Sequence, residues 1–311
     1  LKDMITTLLA LLPVMFLIAM GYMLRARNLI DIQFWLPCEK LNYFWFFPAL
    51  MFLQVATAHL NDFPLKPIAW SVLGAVALGA FTLWAWRGLC KQSGPVFSSV
   101  IQGALRPNTY IGVAAAAATY GSTGLTVTSI SIALAIPLLN IASIIILMYY
   151  GQGTRPAQSQ ILRALVKNPV IISVVAGLLY NISHLTLPHL LTNILHILGE
   201  ASLPLGLLAV GASLDLKAAR TCHGAVLQST FVKLLLVPVV TLIIGWLSGI
   251  SGSVLATVVL FNALPCTPSA YIMSKLLGGD YRLSAGIISV QTVLAAITIP
   301  FVLFLTTLSP L

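Results

Sequence analysis

Residues 104–113 read ALRPNTYIGV and residues 263–271 read ALPCTPSAY, each inside a long run of Ala, Val, Ile and Leu. Arginine at the centre of a spanning helix costs about 2.5–3.5 kcal/mol on a translocon scale. Proline removes a backbone donor and displaces the carbonyl four residues earlier. Arg106-Pro107-Asn108 and the pair Pro265/Pro268 are therefore expected to interrupt their helices. Each break lies about ten residues from the nearest loop, or roughly 15 Å along a helix, and so near the membrane midplane. Backbone groups freed at that depth must be satisfied by protein or by a water-filled cavity. The N-termini of half-helices there offer N–H donors and a positive dipole end to an anion. With Arg106, Asn108, Thr109, Thr267 and Ser269 beside them, the chemistry expected is binding of a carboxylate.

Three roles are open to Arg106: pairing with a substrate carboxylate, pairing with a protein acid, or snorkelling to the surface. Glu200 is the one acid well inside a span, and His196 lies one turn before it. Together they form a candidate proton-responsive pair, and Glu200 is alternatively a partner of Arg106 or an acid satisfied by backbone and water. Asn42, Gln54, Gln102, Asn140 and Gln291 are polar residues of the kind that hydrogen-bond between membrane helices. No paired carboxylates, Ser/His/Asp set or metal-ligand cluster falls within the spans, so neither an enzyme nor a cofactor is expected. Cys38, Cys90, Cys222 and Cys266 form no CxxC pair and are expected to be unpaired thiols.

The elements that must hold these residues follow from composition. The 311 residues are 59% hydrophobic and 7% charged, against about 25% charged in soluble domains. An integral membrane protein is expected. Leu1–Thr6 is too short to be the charged region of a secretory signal, so the first apolar run is expected to span. Ten runs are long enough, at roughly 4–24, 41–59, 67–89, 97–119, 123–150, 162–180, 190–213, 224–248, 252–275 and 284–308. The loops after odd-numbered runs hold twelve Lys and Arg, while the N-terminus and the other loops hold only Lys2 and Lys66. That asymmetry predicts a multi-pass protein of the plasma membrane with both termini on the non-cytoplasmic side. It also explains the net charge of +9 without a nucleic-acid partner, since the basic residues are scattered.

Gly21 and Pro48 are 27 residues apart, as are Gly177 and Pro204, and Pro107 and Pro265 repeat at nearly the same offset, as do Tyr120-Gly121 and Gly278-Gly279. Two five-helix halves are expected, 1–151 and 162–311, joined by a short cytoplasmic linker at 152–161. An odd number of helices per half makes the repeat inverted, the arrangement that points to a secondary transporter.

The segments LRPNTYIGVAAAAATYG, LNYFWFFPALMF, LPLGLLAVGASL and NALPCTPSAYIMSKLLGGD resemble helices of the auxin efflux carrier family, which shares its architecture with bile acid:sodium symporters. The resemblance covers nearly the whole chain. It implies an all-α integral membrane fold of ten transmembrane helices in two inverted five-helix repeats, with broken helices 4 and 9 crossing. It further implies a scaffold of helices 1, 2, 6 and 7, a transporter domain of helices 3–5 and 8–10, and an elevator-like shift with substrate at the crossover. Asn108 matches an asparagine that contacts the carboxylate of auxin in plant members, Pro107 and Pro265 match the crossover prolines, and Asn140 matches an asparagine of helix 5. A homodimer through the scaffold helices is also implied. The short linker is similar to that of bacterial members linked to malonate and malate. Arg106 departs from the plant pattern and favours a smaller, more strongly anionic substrate than auxin. The expected function is secondary transport of a mono- or dicarboxylate, with Glu200 and His196 as proton-coupling candidates; the alternative is a passive uniporter or channel.

Overall fold

The computed structural model of the chain describes residues 2–58, 63–152, 166–183, 185–215, 217–218 and 223–308. Nearly all of the linker, with Arg155, and also Arg163, Arg220 and Cys222 lie outside the described residues.

Every regular element among the described residues is a helix. In chain order they are α1 (Lys2–Ala26), α2 (Ile32–Leu41), a π-helical turn (Asn42–Phe46), α3 (Phe47–Ala56), α4 (Leu65–Cys90), α5 (Gly94–Leu105) and α6 (Thr109–Tyr150). Then follow α7 (Pro169–Ile182), α8 (His189–Ser213), α9 (His223–Phe231), a second π-helical turn (Val232–Leu236), α10 (Val237–Leu247), α11 (Gly252–Asn262), α12 (Ser269–Leu277) and α13 (Tyr281–Leu308). Six of the described helical stretches are long and apolar enough to cross a membrane: Leu9–Ala26, Leu65–Gly88, Thr109–Tyr150, His189–Ser213, Gly224–Leu247 and Tyr281–Thr307. The chain is a multi-pass membrane protein.

Local sequence explains the irregularities. Pro48 and Pro238 each lack the N–H that an α-helix needs, and each is preceded by a π turn closed from the residue before it. Phe47 N–H donates to Asn42 and Val237 N–H to Val232, five residues back. Gly121 takes φ 56° and ψ −135°, which glycine alone adopts without strain, and divides α6 into two helices. Gly278, with φ 78°, ends α12 in the left-handed form.

Helix α1 packs chiefly on α8, and α3 on α7 and α8, while α4 packs on α10 and α6 on α11. Gly21 lies against the backbone of Leu208, where a Cβ would have no room, and Gly177 lies against the backbone of Phe52. Arg25 Nη1 donates to the carbonyls of Ala212 (2.6 Å) and Leu214 (3.2 Å), closing the end of α8. Asn181 Nδ2 donates to the carbonyls of Ala56 (3.1 Å) and Ala58 (2.6 Å), closing the end of α3. In each of these pairs both partners shift by 156 residues: 21 to 177 with 52 to 208, and 25 to 181 with 56 to 212 and 58 to 214.

Candidate functional site

The two sequence breaks meet. Helix α5 ends at Leu105 and α6 begins at Thr109; α11 ends at Asn262 and α12 begins at Ser269. Between them, Pro107 and Cys266 form an isolated antiparallel bridge. Asn108 N–H donates to the Pro265 carbonyl (2.8 Å), and Thr267 N–H donates to the Arg106 carbonyl (3.2 Å). Each break thus satisfies backbone groups that the other has freed, which is what membrane depth demands. Gln291 of α13 braces the pairing from behind. Its Oε1 accepts from Cys266 N–H (2.8 Å), and its Nε2 donates to the Gly103 carbonyl and to Ser229 Oγ (both 3.3 Å). On the same side Lys233 is fully buried, and among the described residues its side-chain nitrogen has no hydrogen-bond partner.

In front of the bridge is a cavity of about 430 Å³. Arg106, Pro107, Thr109, Thr267, Ser269 and Asn140 line it, so six of the residues singled out in the sequence are brought together. Arg106 Nη2 donates to Ser269 Oγ (2.9 Å) and Nη1 contacts the Met273 sulfur. Ser269 Oγ lies 3.3 Å from Thr267 Oγ1. Among the described residues no carboxylate pairs with Arg106. A guanidinium held only by neutral acceptors, beside the N-termini of α6 and α12, is a charge available to an anion.

Asn108, Pro265 and Pro268 are at the bridge but not among the lining residues. Asn108 is fully buried, and its Oδ1 accepts from Ile111 N–H (3.3 Å) as the N-cap of α6. His196 and Glu200 are 3.5 Å apart on one face of α8, with side chains 61% and 69% exposed, and neither lines the cavity.

Sequence reasoning did not single out Glu39, Tyr43, Tyr110, Asn168 or Met273, all of which line the cavity. Glu39, Tyr43 and Phe47 follow one another at four-residue spacing and share a helix face. That spacing was the available signal. Tyr110 stacks edge-on against Phe47, with ring centroids 4.8 Å apart. Glu39, Asn168 and Leu277 belong to the end of the bundle that carries the basic residues Lys40, Lys167 and Lys275.

Compared with known families, residues 6–303 match the model of a family described as membrane transport protein. A search of curated proteins gives no match.

Proposed function

The chain belongs to the membrane transport protein family, that of the auxin efflux carriers, and from that premise we propose that it is a secondary transporter of a small organic anion, a mono- or dicarboxylate such as malonate or malate. The observation that carries this reading is Arg106, a guanidinium without an acidic partner facing a cavity. Arg106 binds the carboxylate, with Thr109, Thr267, Ser269 and Asn140 supplying directional hydrogen bonds. Pro107, Pro265 and Pro268 keep the two helices broken. Asn108 acts one step back, as the cap that orients the N–H groups of α6.

The halves are an inverted repeat. Contacts that recur with both partners shifted by 156 residues support this, because a two-fold relation turns a contact between one half and the other into its mirror in chain order. Helices α1–α3, α7 and α8 form a scaffold, past which the remaining helices carry the crossover in an elevator movement. The excess of Lys and Arg near Glu39, Asn168 and Leu277 supports a cytoplasmic side for that end of the cavity, with both termini on the opposite side of the plasma membrane. The His196–Glu200 pair, exposed midway along a spanning helix and away from the cavity, suits a face covered by a second copy, since an acid and an imidazole facing lipid are costly.

The test is uptake of radiolabelled malonate, malate and indole-acetate into proteoliposomes, with binding measured in parallel. Arg106→Ala is expected to abolish saturable binding while leaving the thermal unfolding profile in place. Unchanged affinity in that variant overturns the assignment. A flux indifferent to ion gradients favours the passive uniporter.

A further inference from the structure

We propose that the cavity takes up its anion together with one proton, and that Glu39 is the group that holds the proton. The inference rests on the anion-binding reading of Arg106 and deepens it.

Among the described lining residues Arg106 is the sole cation and Glu39 the sole acid. With Glu39 ionised the cavity carries no net charge, and an incoming carboxylate meets a second carboxylate. With Glu39 protonated the cavity carries one positive charge, which matches one carboxylate. Anion and proton therefore favour each other, and the coupling is reciprocal.

The surroundings of Glu39 leave it free to change state. No ion pair or hydrogen bond holds it among the described residues. On its own helix the titratable neighbours are Cys38, Lys40 and Tyr43, and Lys40 is exposed rather than turned into the cavity. From the crossover Arg106 and Tyr110 line the same cavity. Helix α7 contributes Asn168 and Val170, and α12 contributes Ile272, Met273, Leu276 and Leu277, none of them titratable. No residue of α8 lines the cavity. Glu39 precedes its span, and burial raises its carboxyl above the ordinary glutamate value. The proton is thus retained to higher pH than on a free side chain, and it comes from water.

The sign follows. Anion binding is strong below the carboxyl's pKa and weakens above it, with Kd rising toward tenfold per pH unit for one linked proton. Glu39→Gln mimics the protonated state. Its malonate affinity is expected to hold at the acidic limit of the wild type and to lose that slope, and proton uptake on binding falls from one per anion toward none. Glu200→Gln keeps both the slope and the uptake. In protein without added anion, infrared spectroscopy should show a carboxyl stretching band that titrates with pH and disappears in Glu39→Gln.

A wild-type slope and proton uptake in Glu39→Gln would overturn the inference, as would absence of that band or its loss in Glu200→Gln instead. Arg106→Ala separates the two readings: normal malonate affinity in that variant removes the anion site, and the infrared titration still decides where the proton sits.

Discussion

Arg106 gives its two terminal nitrogens to neutral acceptors, Ser269 and Met273, although arginine's planar fork is best matched by a carboxylate. Replacing it with lysine keeps the charge and loses the fork. Malonate affinity in Arg106→Lys is therefore expected to fall by about tenfold or more, roughly one charge-assisted hydrogen bond, as read by equilibrium binding. Asn108 gives a sharper contrast. As a buried cap it is replaceable by another capping side chain, whereas Asn108→Ala loses about 1 kcal/mol in thermal unfolding. Asn108→Ser should keep both stability and malonate binding; a loss of binding at normal stability would mean that the amide touches the anion. The residues that break helices were legible in the sequence because prolines coincide there with polar neighbours at membrane depth, whereas Pro13, Pro137, Pro204 and Pro300 lie within helices that continue. Asn108 was legible as a polar residue at the break, but its inward turn depends on Ile111 N–H, and no spacing rule distinguishes a cap from a ligand there. Glu39 was passed over because it precedes its span, and only the fold brings α2 opposite the crossover.

At the scale of helices, the repeated glycine and proline landmarks turn out to mark close approaches. Gly21 meets the backbone four residues after Pro204, and Gly177 meets it four residues after Pro48. A leucine at either position must push two helices apart, an overpacking that costs about 1–3 kcal/mol. Gly21→Leu and Gly177→Leu should lower the thermal midpoint in detergent by similar amounts, because they occupy corresponding places. Gly88, whose Cβ would meet nothing, serves as the control. The sequence spacing of 27 residues contained the register of these contacts but not their partners, since a glycine reports a close approach without saying to what. Arg25 and Asn181 show the limit of that legibility. They are different residue types doing the same work at helix ends, so no identity between the halves pointed to them. The π turns were likewise hidden, because Pro48 and Pro238 predict a disturbance and not its form.

For the molecule as a whole, the charge asymmetry of the loops and the membership of the family were both readable from the chain, while the cavity between α2, α3, α6, α7, α12 and the two breaks was not. It is assembled from residues as far apart as Glu39 and Leu277, and each contributes only one side chain or a few. One feature of that assembly is electrical. Arg106 keeps its charge at every physiological pH, and among the described residues nothing anionic is fixed to it. Moving one elementary charge through the full membrane potential involves about 2.3 kcal/mol per 100 mV. On the elevator reading proposed above, an empty carrier that shifts the crossover across the bilayer displaces the charge of Arg106, and a bound carboxylate cancels that contribution. Voltage, negative inside, then acts on the return of the empty carrier and draws it toward the cytoplasmic side. Solid-supported membrane recordings should show a transient current that both saturating anion and Arg106→Ala reduce, so that the bilayer's own field becomes one of the reactants.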